Sequence, residues 1–335
     1  MSKARATFSI DWPVALLQYK FLAGTNLARR RGRVFRPAPV FLAGKMATVR
    51  HSVLSDHARQ FDELRFAYPV VSRRSRGLSL GVNLNPDKVC NFHCPYCQVD
   101  RTTAGRDTEV DFEVLVDELD GLLGLAVSGE IWKHPRFAAT PEPFRRINDI
   151  AFAGDGEPTT YARLAEALKA ACDLRASHGL PDLKLIVITN ATRLGEPMVL
   201  KALEALKGGP YEIWAKLDAG TQGWFEKVNG TSLNLRHIVR NIAACAARFD
   251  VTIQSLFPAM DGAVSGEDEI GAYIGLLHEI LSAGKLKLIQ VYTTARKPAD
   301  KGIGMLSDAR LDELAARVRK EVPVPVEVYY GRQWE

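Results

Sequence analysis

The stretch "INDIAFAGDGEPTTYARLAEALKAACDLRASHGLPDLKLIVITN", residues 147–190, contains one complete strand–helix–strand unit. It begins and ends with short runs, 147–154 and 183–190, that are apolar nearly throughout, as expected for strands buried on both faces of a parallel sheet. Between them, residues 160–179 carry apolar side chains at helical spacing. This segment ends at Gly179 before Pro181, a typical signal for a helix C-terminus. The unit therefore predicts two parallel strands joined by a crossover helix.

The same alternation continues on both sides of this unit. Further strand-like runs are "LSLGVNL" (78–84), "YEIWAKLD" (211–218), "VTIQSLF" (251–257), "LKLIQVYT" (286–293) and, as a seventh strand, "VPVEVYYG" (324–331). Helical patterns occupy residues 111–125, 196–209, 232–249, 267–284 and 307–321. Six or more alternations predict repeated βαβ units around a mainly parallel sheet. A full or partial barrel fits better than an open sheet, although periodicity does not distinguish them. We predict an α/β, (β/α)6-type partial TIM barrel, with ligands at the C-terminal ends of its strands.

The 335 residues are 47% hydrophobic and 25% charged, an ordinary globular composition. No low-complexity linker interrupts residues 78–331, so we assign 66–335 to one barrel domain and 1–65 to an N-terminal extension. Nine Lys/Arg and a single acid give residues 1–45 a net charge of +8, so the rest of the chain carries −3. This segment has three interpretations: a basic nucleic-acid arm, an Arg-rich transit peptide, or a disordered leader upstream of a true start at Met46.

Membrane insertion and secretion find no support in the sequence. No apolar run reaches the roughly 20 residues of a membrane span, and no secretory signal is present. The five cysteines, an odd number in a chain of this length, do not form the pattern of a disulfide framework. We therefore expect a reducing compartment and a cytoplasmic location, without membrane partners.

Three of the five cysteines lie in "VCNFHCPYCQVD", residues 89–100, with the spacing C-x3-C-x2-C. A structural zinc site takes four ligands, and His93 adjoins Cys94, so the two would seldom bind one ion together. A [4Fe–4S] cluster normally takes four thiolates, one per iron. Cys90, Cys94 and Cys97 would leave one iron open, which in an enzyme is a substrate site. Zinc and an iron–sulfur cluster both remain alternatives at this point.

The spacing of Cys90, Cys94 and Cys97, with Tyr96 before the last cysteine and a strand before the first, resembles the radical S-adenosylmethionine (SAM) superfamily. The resemblance implies a single [4Fe–4S] cluster on these cysteines, whose open iron binds SAM. It implies reductive cleavage of SAM to a 5′-deoxyadenosyl radical, which abstracts hydrogen from a substrate, in an oxidoreductase- or lyase-type reaction. It also implies that Tyr96 lies near the adenine and that a flavodoxin or ferredoxin donates the electron.

The segment "AFAGDGEPTT", residues 151–160, reads as a strand end, a turn and a helix start. It could be a plain βα turn. In the superfamily the matching element, usually Gly-Gly-Glu, holds the amino group of SAM. Gly154, Gly156 and Glu157 match it, with Asp155 as a departure. The form Gly-x-Gly-Glu-Pro-Thr, together with residues 71–84, resembles the wyosine-type tRNA-modifying subgroup. No cysteine precedes Cys90, so the second cluster of that subgroup has no ligands here. The substrate is unknown and could be a tRNA base or a small molecule.

Polar residues end the third and fourth strands. Asn190 closes "VITN", and Lys216 and Asp218, two apart in a strand, point to one face. The resemblance implies that a polar residue here contacts the SAM ribose. We assign that role to Asp218 with Lys216 beside it, and count Asn190 with the cofactor-binding residues. The alternative is a structural ion pair at the barrel mouth.

Four further residues need an explanation. Gln254 and Gln290 lie in apolar strands, where a buried amide requires a partner from the backbone or from a ligand. Cys172 and Cys245 lie on apolar helix faces and are interpreted as small buried hydrophobic residues. The second functional hypothesis is an iron–sulfur redox or sensor protein that does not cleave SAM, and the third is a zinc-binding structural protein.

Overall fold

The structure is a computed structural model, and it describes residues 61–72, 76–296, 298 and 300–331. Eight strands form one sheet: β1 Ala67–Ser72, β2 Gly77–Val82, β3 Ile147–Phe152, β4 Lys184–Thr189, β5 Tyr211–Lys216, β6 Val251–Leu256, β8 Leu286–Tyr292 and β10 Val326–Tyr329. Two short strands, β7 Pro258–Met260 and β9 Ile303–Met305, form a separate antiparallel pair.

The strand order in the sheet is β1-β2-β3-β4-β5-β6-β8-β10. Strand β1 is antiparallel to β2, and every later pairing is parallel. The helices are α1 Phe112–Ser128, α2 Leu164–Ser177, α3 Pro197–Leu203, α4 Gln222–Asn229, α5 Leu235–Ala246, α6 Glu267–Ala283 and α7 Asp308–Glu321. The predicted α/β class and partial barrel are confirmed, and the seventh predicted strand is β10.

Burial on both faces explains why the parallel strands are apolar throughout. In β4, Leu185 and Val187 join the main core between sheet and helices. The alternate residue, Ile186, packs inside the barrel with Ala151 and Trp214. Successive side chains of a strand point to opposite faces, so one strand supplies both layers. The sheet therefore encloses an inner surface on which the site is built.

Besides the short pair β7 and β9, the sequence analysis did not predict strand β1 or helix α4. Strand β1 contains Pro69, which weakens a strand signal and is tolerated because β1 is the edge of the sheet. Helix α4 has only eight residues, includes Gly223, and begins at Thr221, whose side chain accepts a hydrogen bond from the Trp224 N–H. Short length and mixed polarity hide such an element from periodicity.

The predictions for residues 1–45 and for Met46 concern a segment outside the described residues and stay predictions. The domain boundary predicted at residue 66 also stays a prediction. Across the described part of the chain, no helix is both long and apolar enough to cross a membrane. The cytoplasmic location also stays a prediction.

Candidate cluster and cofactor site

The inner surface of the partial barrel encloses a cavity of about 1050 Å³. This is at the upper end of the range of small-molecule and cofactor sites. Its lining includes nearly all of the predicted site residues: Cys90, Cys94, Tyr96, Cys97, Gly154, Asp155, Gly156, Glu157, Asn190 and Lys216. The one predicted residue that does not line it is Asp218. Residues from four separate segments thus converge on one cavity.

Residues 89–100, here called the cysteine loop, have no regular secondary structure. The loop turns tightly between two of its ligands, since the Cys97 N–H donates to the Cys94 carbonyl at 2.9 Å. All three thiols are free and half-buried. Burial raises the pKa of Cys90, and it raises the pKa of Cys94 to about 12. Coordination to a metal deprotonates such thiols, so the loop is suited to metal binding rather than to free thiolate chemistry.

The donor set fits an iron–sulfur cluster better than a zinc ion. Among the described residues, no group of three or more His, Cys, Asp or Glu side chains could hold a metal ion. Zinc requires its ligands to converge on one centre, whereas a cubane binds each cysteine to a different iron and tolerates wider separation. Three cysteines therefore favour a cluster over a single zinc ion, and metal analysis distinguishes the two.

The cysteine loop is attached to the ends of β4 and α4. The Asn190 side-chain amide donates to Asn91 Oδ1 at 2.6 Å, and Asn91 Nδ2 donates to Thr192 Oγ1 at 2.7 Å. The His93 N–H donates to the Asn229 carbonyl at 3.2 Å. Asn190, predicted as a cofactor contact, lines the cavity, but its side chain holds the loop.

The turn at residues 154–157 packs against both β2 and the cysteine loop. The Asn83 side chain accepts from the Asp155 N–H at 3.0 Å and donates to Asp155 Oδ2 at 2.8 Å. A Cβ on Gly154 would lie 2.1 Å from Asn83 Oδ1, and one on Gly156 would lie 2.2 Å from the Val89 carbonyl oxygen. Both glycines are required by these close approaches, which bring the turn against the loop.

Glu157 is buried and engaged by the chain's own donors. Its carboxylate accepts from Thr159 N–H at 3.1 Å, Thr159 Oγ1 at 2.5 Å, Thr189 Oγ1 at 2.5 Å and Asn190 N–H at 2.6 Å. Burial raises its pKa, and the hydrogen bonds from Thr159 and Thr189 only partly offset that rise. Glu157 thus joins the ends of β3 and β4. The predicted contact of Glu157 with the cofactor stays a prediction. Little of the hydrogen-bonding capacity of the carboxylate is left for such a contact.

Asp218 lies behind the cavity wall. Its side chain is 0% exposed and pairs with Lys216, with Nζ and Oδ1 2.9 Å apart. It also accepts from the Leu256 N–H at 2.8 Å and from the Tyr96 hydroxyl at 2.6 Å. This arrangement counts against the predicted contact of Asp218 with the SAM ribose, because the carboxylate has no open face. The structural ion pair considered as the alternative is present.

Lys216 does reach the cavity. Its ammonium group donates to the Tyr292 hydroxyl at 2.6 Å and lies 5.2 Å from the centre of the Tyr96 ring. Burial lowers the Lys216 pKa, but Asp218 and Tyr292 raise it by more, so the net pKa is above its usual value. Burial, followed by the Asp218 charge, raises the Tyr96 pKa well above its usual value. The wall therefore presents a charged ammonium beside a neutral phenol.

Asn229, the last residue of α4, was missed by the sequence analysis. Its Nδ2 lies 2.9 Å from Asp218 Oδ2, 3.3 Å from the Tyr96 oxygen and 3.6 Å from Cys94 Sγ. It connects the cysteine loop to the end of β5. The Thr221 cap could have signalled α4, but nothing in the sequence indicates that Asn229 faces the cysteines.

The remaining candidates hydrogen-bond or pack within the chain. Gln254 Nε2 donates to Gln290 Oε1 at 2.8 Å across β6 and β8, so each buried amide satisfies the other in part. Cys245 is fully buried, and Cys172 donates to the Ala205 carbonyl at 3.5 Å. Neither of these two thiols lines the cavity. Both fit the interpretation as packing residues.

No family model matches the sequence. Two curated proteins resemble part of it. "UPF0026 protein MJ1312" of Methanocaldococcus jannaschii is 30% identical over 127 residues, which is 37% of this chain and 32% of that protein. "GTPase Obg" of Brachyspira hyodysenteriae is 29% identical over 131 residues, 38% of this chain and 15% of that protein. The match thus spans a third or less of either relative. The chain contains no G-x4-G-K-[ST] phosphate loop, so we do not propose GTP hydrolysis.

Two solved structures share the fold. A radical SAM methyltransferase from Sphaerobacter thermophilus aligns over 80% of this chain and 70% of its own, with 15% identity and a TM-score of 0.53. SuiB of Streptococcus suis, solved with S-adenosylmethionine bound, aligns over 77% of this chain and 52% of its own, with 14% identity and a TM-score of 0.51. At these identities the likeness is one of fold. The described chain therefore has the partial-barrel fold of a solved radical SAM enzyme.

Proposed function

We propose that this protein is a radical SAM enzyme with one [4Fe–4S] cluster on Cys90, Cys94 and Cys97. The observation that carries the proposal is the convergence of these three thiols and the 154–157 turn on one cavity. The fold shared with a radical SAM methyltransferase supports it. The close approach of Gly156 to Val89 of the cysteine loop also favours the proposal over a plain βα turn.

When bound, the cluster would supply the electron that cleaves SAM reductively, so that the 5′-deoxyadenosyl radical takes a hydrogen atom from the substrate. The residues of this chain prepare the site for that chemistry. The three cysteines would hold the irons as thiolates. The backbone of Gly154 and Gly156 and the Tyr96 ring line the space beside them. The Lys216 ammonium offers a positive charge to an anionic ligand group, and the enclosing strands limit access of water.

The finer parts of the proposal concern substrate and partners. The Gly-x-Gly-Glu-Pro-Thr form favours the wyosine-type subgroup, whereas residues 1–89 contain no cysteine that would match the second-cluster ligands of that subgroup. The substrate is therefore proposed as either a tRNA base or a small molecule, in an oxidoreductase- or lyase-type reaction. A flavodoxin- or ferredoxin-type protein would supply the electron.

The test is anaerobic reconstitution with iron and sulfide, followed by dithionite reduction in the presence of SAM. We expect 5′-deoxyadenosine, measured by mass spectrometry, and its loss when any of the three cysteines is replaced. Deuterium transfer into the product from candidate substrates would then identify the substrate. A well-formed cluster without SAM cleavage in any reductant would favour the redox or sensor hypothesis. Metal analysis that finds zinc bound to the protein, without iron or sulfide, would refute the cluster altogether.

A further inference from the structure

Two side chains outside the cysteine motif direct N–H groups at the cysteine sulfurs. Asn229 Nδ2 lies 3.6 Å from Cys94 Sγ, and Arg101 Nη2 lies 3.8 Å from Cys97 Sγ. Sulfur is large, and a thiolate is a better acceptor than a thiol, so both contacts are within reach of an N–H···S hydrogen bond. Cys90 has a different environment: its Sγ lies 3.9 Å from Asn91 Oδ1, and the Phe92 backbone forms a hydrogen bond with this thiol.

The orientation of the Asn229 amide is fixed by Asp218. Nδ2 donates to Asp218 Oδ2 at 2.9 Å, and the residue is 1% exposed. A flipped amide would place Oδ1 against a carboxylate and a sulfur, so the nitrogen must face them. Asp218 engages one of the two N–H groups of the amide, which leaves the other for the Tyr96 oxygen at 3.3 Å and the Cys94 sulfur at 3.6 Å.

The oxygen of the Asn229 amide is unsatisfied. Its Oδ1 is buried and has no hydrogen-bond partner among the described residues. A buried polar atom without a partner is destabilising, and a residue that carries one in a folded core requires another reason for its presence. The contacts of Nδ2 with Asp218 and Cys94 provide that reason.

Arg101 is held at the other end of the loop. Its Nη1 donates to the Lys88 carbonyl, which anchors the guanidinium beside the loop. Its Nε is buried without a partner in the described chain, so the side chain is not placed there by a full set of structural hydrogen bonds. The anchored guanidinium brings a permanent positive charge next to Cys97.

We propose that Asn229 and Arg101 are positioning residues that raise the reduction potential of the cluster by donating N–H···S hydrogen bonds to Cys94 and Cys97. Reduction adds negative charge to the cluster and its thiolates. Hydrogen-bond donors and a nearby cation stabilise that charge, which favours the reduced state. The inference rests on the proposed function, since it requires the cluster, and it adds two residues that the cysteine motif does not contain.

The test is a redox titration of the reconstituted full-length protein, in which electron paramagnetic resonance measures the reduced cluster at each potential. The variants are Asn229→Leu, which removes the amide, and Arg101→Gln, which removes the guanidinium. We expect each variant to lower the reduction potential of the cluster. At a given potential, the ratio of oxidised to reduced cluster should rise about tenfold, which corresponds to 59 mV for one electron. Lys227→Gln is the control, because it removes an exposed positive charge from the same helix as Asn229 without contacting a cysteine, and its potential should match the wild type.

Potentials equal to the wild type in both variants would overturn the inference while leaving the cluster assignment intact. A wild-type protein that takes up no cluster would instead refute the proposed function. If Asn229→Leu fails to hold iron, a measurement on the wild-type protein tests the inference instead. Exchange into D2O should remove a proton hyperfine coupling from the reduced cluster in electron–nuclear double resonance, and Arg101→Gln should remove part of it. The absence of any exchangeable coupling would overturn the inference.

Discussion

The cysteine loop and the strand ends that support it use their polar groups in opposite ways. In the loop, the three thiols are half-buried and make only long contacts of 3.6–3.9 Å with neighbouring side chains. At the strand ends, the Glu157 and Asp218 carboxylates are buried and each accepts several short hydrogen bonds or ion-pair contacts. The loop thus keeps its ligands available, whereas the strand ends hold the loop in place. A charged residue at a candidate site is therefore not by itself a ligand contact.

The largest effect is expected when a loop thiol is exchanged for alanine and compared with a core thiol. Cys94→Ala should abolish cluster binding, because it removes one of the three proposed ligands, whereas Cys172→Ala should leave iron content at the wild-type level. Iron and sulfide analysis after anaerobic reconstitution measures both. Equal iron content in the two variants would show that the loop does not hold the cluster.

A large effect on stability is expected at Asp218. Asp218→Asn leaves Lys216 as a nearly buried cation without its partner, and breaking a buried pair from one side costs about 3–5 kcal/mol. Denaturant unfolding of the apoprotein measures the change. The double variant Asp218→Asn/Lys216→Met should recover part of the loss, because no unpaired charge remains. A single variant as stable as the wild type would remove the bracing role assigned to the strand ends.

Glu157 separates bracing from ligand binding more finely. Glu157→Gln replaces an acceptor of four hydrogen bonds by a group that is half donor, so the free energy of unfolding of the apoprotein should fall by about 2 kcal/mol. Thr189→Val, which removes one of the donors, should reproduce part of the loss. Unchanged apoprotein stability together with weaker SAM binding would restore the contact first predicted from the sequence.

The smallest expected effect lies at the opposite, N-terminal end of the strands. Glu212 pairs with Lys184 at 2.9 Å and accepts from Trp214 at 2.7 Å. Burial raises its pKa, but Lys184 and Trp214 lower it by more, so the net pKa is below its usual value. The stabilisation is therefore present above the ordinary glutamate pKa and lost as pH falls through the folded-state pKa.

Glu212→Gln should accordingly cost about 1 kcal/mol at pH 7, and the difference from the wild type should vanish at acid pH. Unfolding free energies measured between pH 7 and pH 3 test this. Glu142→Gln is the control, since the side chain of Glu142 is 86% exposed and its contact with Arg145 is long at 3.8 Å. A Glu212 effect that grows toward acid pH would contradict a folded-state pKa below the usual value.

Local patterns account for what could be predicted. Buried parallel strands are apolar on both faces, so the seven strands from β2 to β10 in the parallel array were visible, as were the longer helices. Strand β1, with its edge proline, and α4, with eight residues, carried too little periodic signal. Asn229 was missed together with α4. Asp218 was predicted to contact a ligand, because alternation within a strand indicates which side of the sheet a residue faces but not which groups lie there.

The amino-acid sequence was sufficient to predict the strands and helices of the partial barrel, the position of C-x3-C-x2-C after a strand, and the glycines of the 154–157 turn. These are local features, set by spacing and by backbone geometry. Only the tertiary structure decides which polar side chains form hydrogen bonds with each other. Asn190 and Asn91 are 99 residues apart, Asp218 and Tyr96 are 122, and Asn229 and Cys94 are 135. Such pairings depend on positions within a fraction of an ångström, because hydrogen bonds weaken steeply with distance and angle, and no sequence pattern encodes them.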